Sequence, residues 1–166
     1  MGSGAFLDLA EAAVAVARRE SAQVIVNDRA DLAVLSAAAG VHVGQEDLSP
    51  TDVRRVTGPD AMVGLSTHTR DQIVAAVAEP ISYLAIGPVF TTATKATGYD
   101  AVGYAAVEQA AEQAGRHRLP VVAIGGITLA TAPRVIEAGA AAVAIIGDLM
   151  TADPEARVRE YLAALA

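Results

Sequence analysis

The chain has no cysteine and no tryptophan, and among its 166 residues only two are phenylalanine and four tyrosine. The lack of cysteine excludes a disulfide framework and a thiolate metal site, while leaving the redox compartment open. With so few rings, the 53% of hydrophobic residues is nearly all Ala, Val, Leu and Ile, the aliphatic make-up of buried parallel sheets. Basic runs are missing too. Twelve Lys and Arg stand against nineteen Asp and Glu, for a net charge of -7, and no cationic stretch exceeds a pair. That balance argues against a nucleic-acid partner and means that any anion is held by a local device. No apolar run reaches the roughly 18 residues of a membrane span, and Met1-Gly2-Ser3-Gly4 has neither the basic nor the apolar part of a signal peptide. The expectation is a soluble, cytoplasmic protein with no membrane partner. Residues 1–4 are read as a disordered start and 5–166 as one domain.

What is present is a rhythm. Ala5 to Glu20 reads as a helix with cations at its C-terminal end, and then short apolar runs alternate with helical stretches. Strands are predicted at Gln23 to Val26, Val41 to Val43, Ala61 to Ser66, from Ile81, at Pro120 to Ile124 and at Ala142 to Ile146. Helices are predicted at Ala30 to Ala38, from Pro50, at Arg70 to Ala78, Val102 to Ala114, from Thr128 to Glu137 and at Pro154 to Leu165. Six βα units behind one leading helix fit an α/β fold, either an open doubly wound sheet or most of a (β/α)8 barrel. In both, ligands bind beyond the carboxyl ends of the strands.

The polar residues fall at that end. Asn27, Asp28, Asp47, Ser66, His68, Thr92, Thr94, Lys95, Gly126 and Gly147 all come just after predicted strands. The stretch from Ile81 to Thr97 is the richest, an apolar strand broken by Gly87-Pro88 that delivers a loop with Thr92, Thr94 and Lys95, donors suited to phosphate oxygens. Asp28 and Asp47 follow consecutive strands. Two carboxylates on neighbouring parallel strands, about 5 Å apart, can share a hard cation such as Mg²⁺. The competing reading of each is an ordinary helix N-cap. Gly125-Gly126 before a helix, and Ile146-Gly147 in the last unit, occupy the places where barrels hold phosphate. Ser66-Thr67-His68-Thr69 either caps a helix or presents Ser66 to a ligand. His68 shows no nucleophile and base partners of the kind a catalytic triad needs, His42 between Val41 and Val43 reads as a satisfied structural histidine, and Tyr83 reads as packing.

Together, the blocks Val26-Asn27-Asp28-Arg29-Ala30-Asp31-Leu32, residues 41–48 (VHVGQEDL), 64–69 (GLSTHT), 87–95 (GPVFTTATK) and 122–127 (VAIGGI) resemble the thiamine-phosphate synthase family. Their order and spacing cover nearly the whole chain. The resemblance implies a TIM (β/α)8-type barrel, here incomplete, with six βα units and one preceding helix. It implies a transferase of thiamine biosynthesis that joins a pyrimidine methyl diphosphate to a thiazole phosphate and releases pyrophosphate. It also implies Mg²⁺ on Asp28 and Asp47. Asn27, Ser66 and Lys95 would contact the pyrimidine diphosphate and serve catalysis, and Thr92, Ala93, Thr94, Gly126, Ile146 and Gly147 would hold the thiazole phosphate.

The chain departs from the family pattern in three places. Relative to the family, two initial strands are missing, the second with a Gln, Arg and Lys segment for the diphosphate. From this a homo-oligomer that covers open sheet edges is expected, as is readier binding of the thiazole phosphate than of the diphosphate. Thr91 stands where the family has Pro, and Gly147-Asp148 where it has Ser-Ala. A carboxylate there weakens phosphate binding unless Asp148 caps the final helix. Two other functions compete with the transferase. One is a thiazole tautomerase, which Pro88 and the intact Thr94-Lys95 argue against, and the other is a non-catalytic phosphate-binding scaffold.

Overall fold

The computed structural model describes residues 1–92 and 98–166. They form two compact units: residues 1–66 with 78–83, and residues 67–77 with 84–166.

In the first unit, helix α1 (Ser3–Arg19) leads into β1 (Ile25–Asn27), α2 (Ala30–Leu35), β2 (Gly40–Val43) and α3 (Pro50–Thr57), and then into β3 (Met62–Thr67), whose last residue belongs to the second unit. The three strands run parallel in the order β1-β2-β3, with Val26 beside Val41 and Val41 beside Val63. Val41, Val43 and Val63 are fully buried, which is why aliphatic residues dominate these strands, with His42 half-buried between two valines. Glycine is required at position 40, where a Cβ would lie 1.9 Å from the carbonyl oxygen of Met62.

The second unit holds α4 (Arg70–Ala76), most of β4 (Tyr83–Ile86), α5 (Gly103–Gly115), β5 (Val121–Ile124), α6 (Ala132–Glu137), β6 (Ala142–Ala144), a 3₁₀ turn (Gly147–Leu149) and α7 (Pro154–Leu165). Its strands are likewise parallel, with Ala85 beside Val122 and Val122 beside Ala142. Leu84, Ile86, Ala123 and Val135 carry no exposed surface.

The element order is the one expected, six strands and their helices behind a leading helix. The borders differ for local reasons. Ser3 and Gly4 lie inside α1, with Gly2 in the extended N-cap position. Helix α6 starts at Ala132 because the Thr131 hydroxyl accepts from Thr128 N–H (2.9 Å) and Thr128 to Thr131 closes a turn instead of a first helical coil. Strand β4 begins at Tyr83, preceded by Ser82, whose hydroxyl oxygen accepts from Val63 N–H (3.0 Å). Among the described residues no helix is long and apolar enough to cross a membrane.

Candidate functional site

In the first unit, the loops after β1 and β2 lie side by side. Asp28 N–H donates to the carbonyl of His42 (2.8 Å), the residue paired with Asn27 across the β1-β2 ladder. Asp28 has a φ of 62°, a left-handed conformation that Asp tolerates better than most residues, and Arg29 N–H closes the turn on Asn27 O (2.7 Å). Asp47 ends its own short turn, with one carboxylate oxygen accepting from Gly44 N–H (2.8 Å).

Neither aspartate caps a helix. The N-cap residue of α2 is Arg29, with no side-chain cap, and α3 is capped by Ser49, whose hydroxyl accepts from Asp52 N–H (3.1 Å). The N-cap explanation of Asp28 and Asp47 therefore falls away. Both are exposed on loops at the carboxyl ends of adjacent strands. Among the described residues no group of three or more His, Asp or Glu side chains could hold a metal. Two hard carboxylates remain, which suits an ion such as Mg²⁺ that keeps several waters and takes its other ligands from substrate phosphate.

Ser66 ends a chain of hydrogen bonds inside the same unit. His42 Nε2 lies 2.7 Å from its hydroxyl, and His42 Nδ1 lies 2.9 Å from the Tyr83 hydroxyl. The His42 and Tyr83 rings stack with centroids 5.6 Å apart, and the Ser66 carbonyl accepts from the Gln45 amide (2.7 Å). So His42 is satisfied at both ring nitrogens, as expected, but Tyr83 is more than packing. Burial pushes the Tyr83 phenol above its ordinary pKa, which keeps it a neutral donor or acceptor at physiological pH. The helix cap in this block is Thr69, whose hydroxyl accepts from Gln72 N–H (3.3 Å).

In the second unit, three loops carry the remaining residues. The segment after β4 is laced to the end of β5: Val89 N–H donates to Ile124 O (2.9 Å) and Phe90 N–H to Gly125 O (3.0 Å). The two glycines are needed on both counts that favour glycine. Gly125 and Gly126 have φ of 98° and 63°, and a Cβ on Gly126 would sit 2.7 Å from Thr91 O. Phe90 packs edge-on to Tyr104 (5.2 Å), over which Arg134 lies at 4.2 Å. His68 makes a short hydrogen bond from Nδ1 to the Gly87 carbonyl and stacks on Tyr99 at 3.9 Å, which leaves it structural. Thr92 closes the described part of this loop, and Ala93, Thr94 and Lys95 lie outside the described residues.

After β6, Ile146 is 53% exposed and Gly147 opens the 3₁₀ turn. Of the two alternatives for Asp148, the cap of the final helix is not the one adopted. Asp153 does, accepting from Ala156 N–H (2.9 Å). One oxygen of Asp148 instead accepts from the Tyr161 hydroxyl (2.6 Å) and from Leu129 N–H (3.0 Å). The bond from Tyr161 holds the Asp148 carboxyl below its usual pKa, helped by Leu129 N–H and the charge of Arg157. The phenol is raised in turn, chiefly by burial and then by Asp148.

The family model for thiamine monophosphate synthase matches residues 1–149. The chain belongs to the thiamine monophosphate synthase family. It is similar to the thiamine-phosphate synthases of Koribacter versatilis (45% identity over 139 residues, 84% of this chain and 64% of that protein) and Synechococcus (44% over 160 residues, 96% and 44%). It is also similar to that of Thermus thermophilus (44% over 154 residues, 92% and 72%). The chain thus spans less than two thirds of the first two relatives. Among solved structures, thiamine phosphate pyrophosphorylase from Pyrococcus furiosus superposes with a TM-score of 0.90 at 25% identity, over 99% of this chain and 78% of that one. Its fold is shared more widely: 3-hexulose-6-phosphate synthase matches with a TM-score of 0.67 at 19% identity. The α/β fold is therefore the thiamine-phosphate synthase kind of (β/α) fold, as the resemblance implied.

Proposed function

We propose that the chain carries thiamine-phosphate synthase chemistry, coupling a hydroxymethylpyrimidine diphosphate to a thiazole phosphate with release of pyrophosphate. The reading rests above all on Asp28 and Asp47, released from any helix-capping duty on adjacent loops of one unit. The family's named activity and the phosphate-compatible Gly125-Gly126 loop support it.

In this reading the carbon–oxygen bond of the pyrimidine methyl diphosphate breaks, its electron pair leaves with pyrophosphate, and the thiazole nitrogen lone pair forms the new carbon–nitrogen bond. Asp28 and Asp47 would hold Mg²⁺, which would supply positive charge to the leaving diphosphate. Asn27 and Ser66 orient the pyrimidine diphosphate, and His42 fixes the Ser66 hydroxyl (2.7 Å). Lys95 adds the fixed cation. Thr92, Ala93, Thr94, Gly126, Ile146 and Gly147 take the thiazole phosphate through backbone N–H and hydroxyl donors. No general base is required, since orientation and charge stabilisation carry the rate.

The test is product formation by the chain with both substrates and Mg²⁺. Thiamine phosphate and pyrophosphate are expected in equal amounts, with Asp28→Asn or Asp47→Asn slowing the rate by about a hundredfold or more. Rates unchanged in both variants would refute the assigned roles, and an absence of product with every component present would refute the transferase.

A further inference from the structure

We propose that Asp148 and Tyr161 are positioning residues, a strap that holds the loops after β5 and β6 in the spacing a phosphate needs. This rests on the reading of Gly126 and Gly147 as phosphate contacts given above.

The geometry is a three-way junction on one carboxylate oxygen. Asp148 directly follows Gly147 in the β6 loop. The Leu129 N–H that it accepts (3.0 Å) lies three residues past Gly126 in the β5 loop, and the Tyr161 hydroxyl (2.6 Å) comes from the body of α7. Tyr161 is 6% exposed, so its ring is a fixed post rather than a swinging arm. The β5 loop is consequently tied at both ends, by Phe90 N–H on Gly125 O and by Asp148 on Leu129 N–H, with the positive-φ Gly125 at the first tie and the positive-φ Gly126 between the two. Glycine gives a backbone little stiffness of its own, so such anchors set where its N–H groups point.

The same bonds answer the charge problem. A carboxylate next to an anion site repels the ligand, but here the charge is drawn toward the phenol, an amide and, at longer range, Arg157. The two effects have opposite signs, so removing Asp148 separates them. If its charge dominates, phosphate binds more tightly without it. If the strap dominates, binding weakens.

The experiment is calorimetric titration of thiazole phosphate into the unaltered chain and into Asp148→Ala, Asp148→Asn, Tyr161→Phe and Asp153→Ala. The last variant loosens α7 at its cap without touching the strap. The Kd is expected to rise roughly tenfold in Asp148→Ala and Tyr161→Phe and less in Asp148→Asn, which keeps an acceptor oxygen. Asp153→Ala should leave it unchanged. Tighter or equal binding by Asp148→Ala, or equal weakening by Asp153→Ala, would overturn the strap while leaving the phosphate reading intact. No binding by the unaltered chain would overturn the phosphate reading and the positioning role with it.

Discussion

Single side chains decide more here than their sequence context suggests. Asp28, Asp47 and Asp148 all follow strands, yet one bears on a left-handed turn, one closes a loop on Gly44 N–H and one ties two loops to a helix. Residue type and position pointed to the first two. The third was legible only as an anomaly, because a hydrogen bond to Tyr161, thirteen residues away, has no local signature. Arg54 was missed for the same reason: its guanidinium donates to the carbonyls of Pro59 (2.9 Å), Ala61 and Pro80 (3.0 Å) and to the Ser82 hydroxyl (3.2 Å), all brought to it by folding. Lysine cannot reproduce that fork, so Arg54→Lys is expected to cost about 1–3 kcal/mol in urea denaturation. Gly64→Ala would place a Cβ 2.1 Å from the Tyr83 ring and 2.5 Å from His42 Nδ1, with a similar expected cost of about 1–3 kcal/mol. A pH dependence follows from Asp148. Its folded pKa is lowered, so its contribution is present above the unfolded value of about 4 and is lost as the pH falls through the lower folded value. The destabilisation caused by Tyr161→Phe, read from urea midpoints, should shrink between pH 7 and pH 2. An equal difference at both pH values would contradict the bond.

At the scale of elements, strands and helices follow patterns that the chain states openly. Apolar stretches such as Leu84-Ala85-Ile86, and Val41 and Val43 on either side of His42, became buried parallel strands, and Ser49-Pro50 and Asp153-Pro154 open α3 and α7 with a capping side chain and a proline in the first turn. Asp153→Ala should therefore destabilise α7 by about 1 kcal/mol, measured by thermal or urea unfolding. The misjudged borders lie where side chains compete with the backbone. Thr131 delays α6, and Ser82 bonds Val63 N–H ahead of β4. Such bonds depend on which neighbour the chain meets, and periodicity does not encode that. The lacing of the β4 segment to Ile124 and Gly125 was likewise foreshadowed only by the glycines that follow β5.

For the molecule as a whole, five motif blocks make the family readable in the sequence, and the TM-score of 0.90 to a thiamine phosphate pyrophosphorylase agrees with them. What remained hidden was the surface. Leu162 and Met150 are 68% and 81% exposed, and an apolar groove of about 510 Å³ runs between β6 and α7, lined by Val143, Ile145, Leu149, Val158 and Leu162. Aliphatic residues on an open surface favour self-association, so light scattering is expected to give a mass that is a multiple of 16.9 kDa, and a monodisperse species of that mass would contradict it. The central claim is that Asp28 and Asp47 act together through Mg²⁺. It is tested most directly by titrating the pyrimidine diphosphate into the chain with and without Mg²⁺, and into Asp47→Asn. Binding that needs the ion, and that loses this dependence in the variant, is the predicted result; diphosphate binding indifferent to Mg²⁺ in the unaltered chain would contradict it.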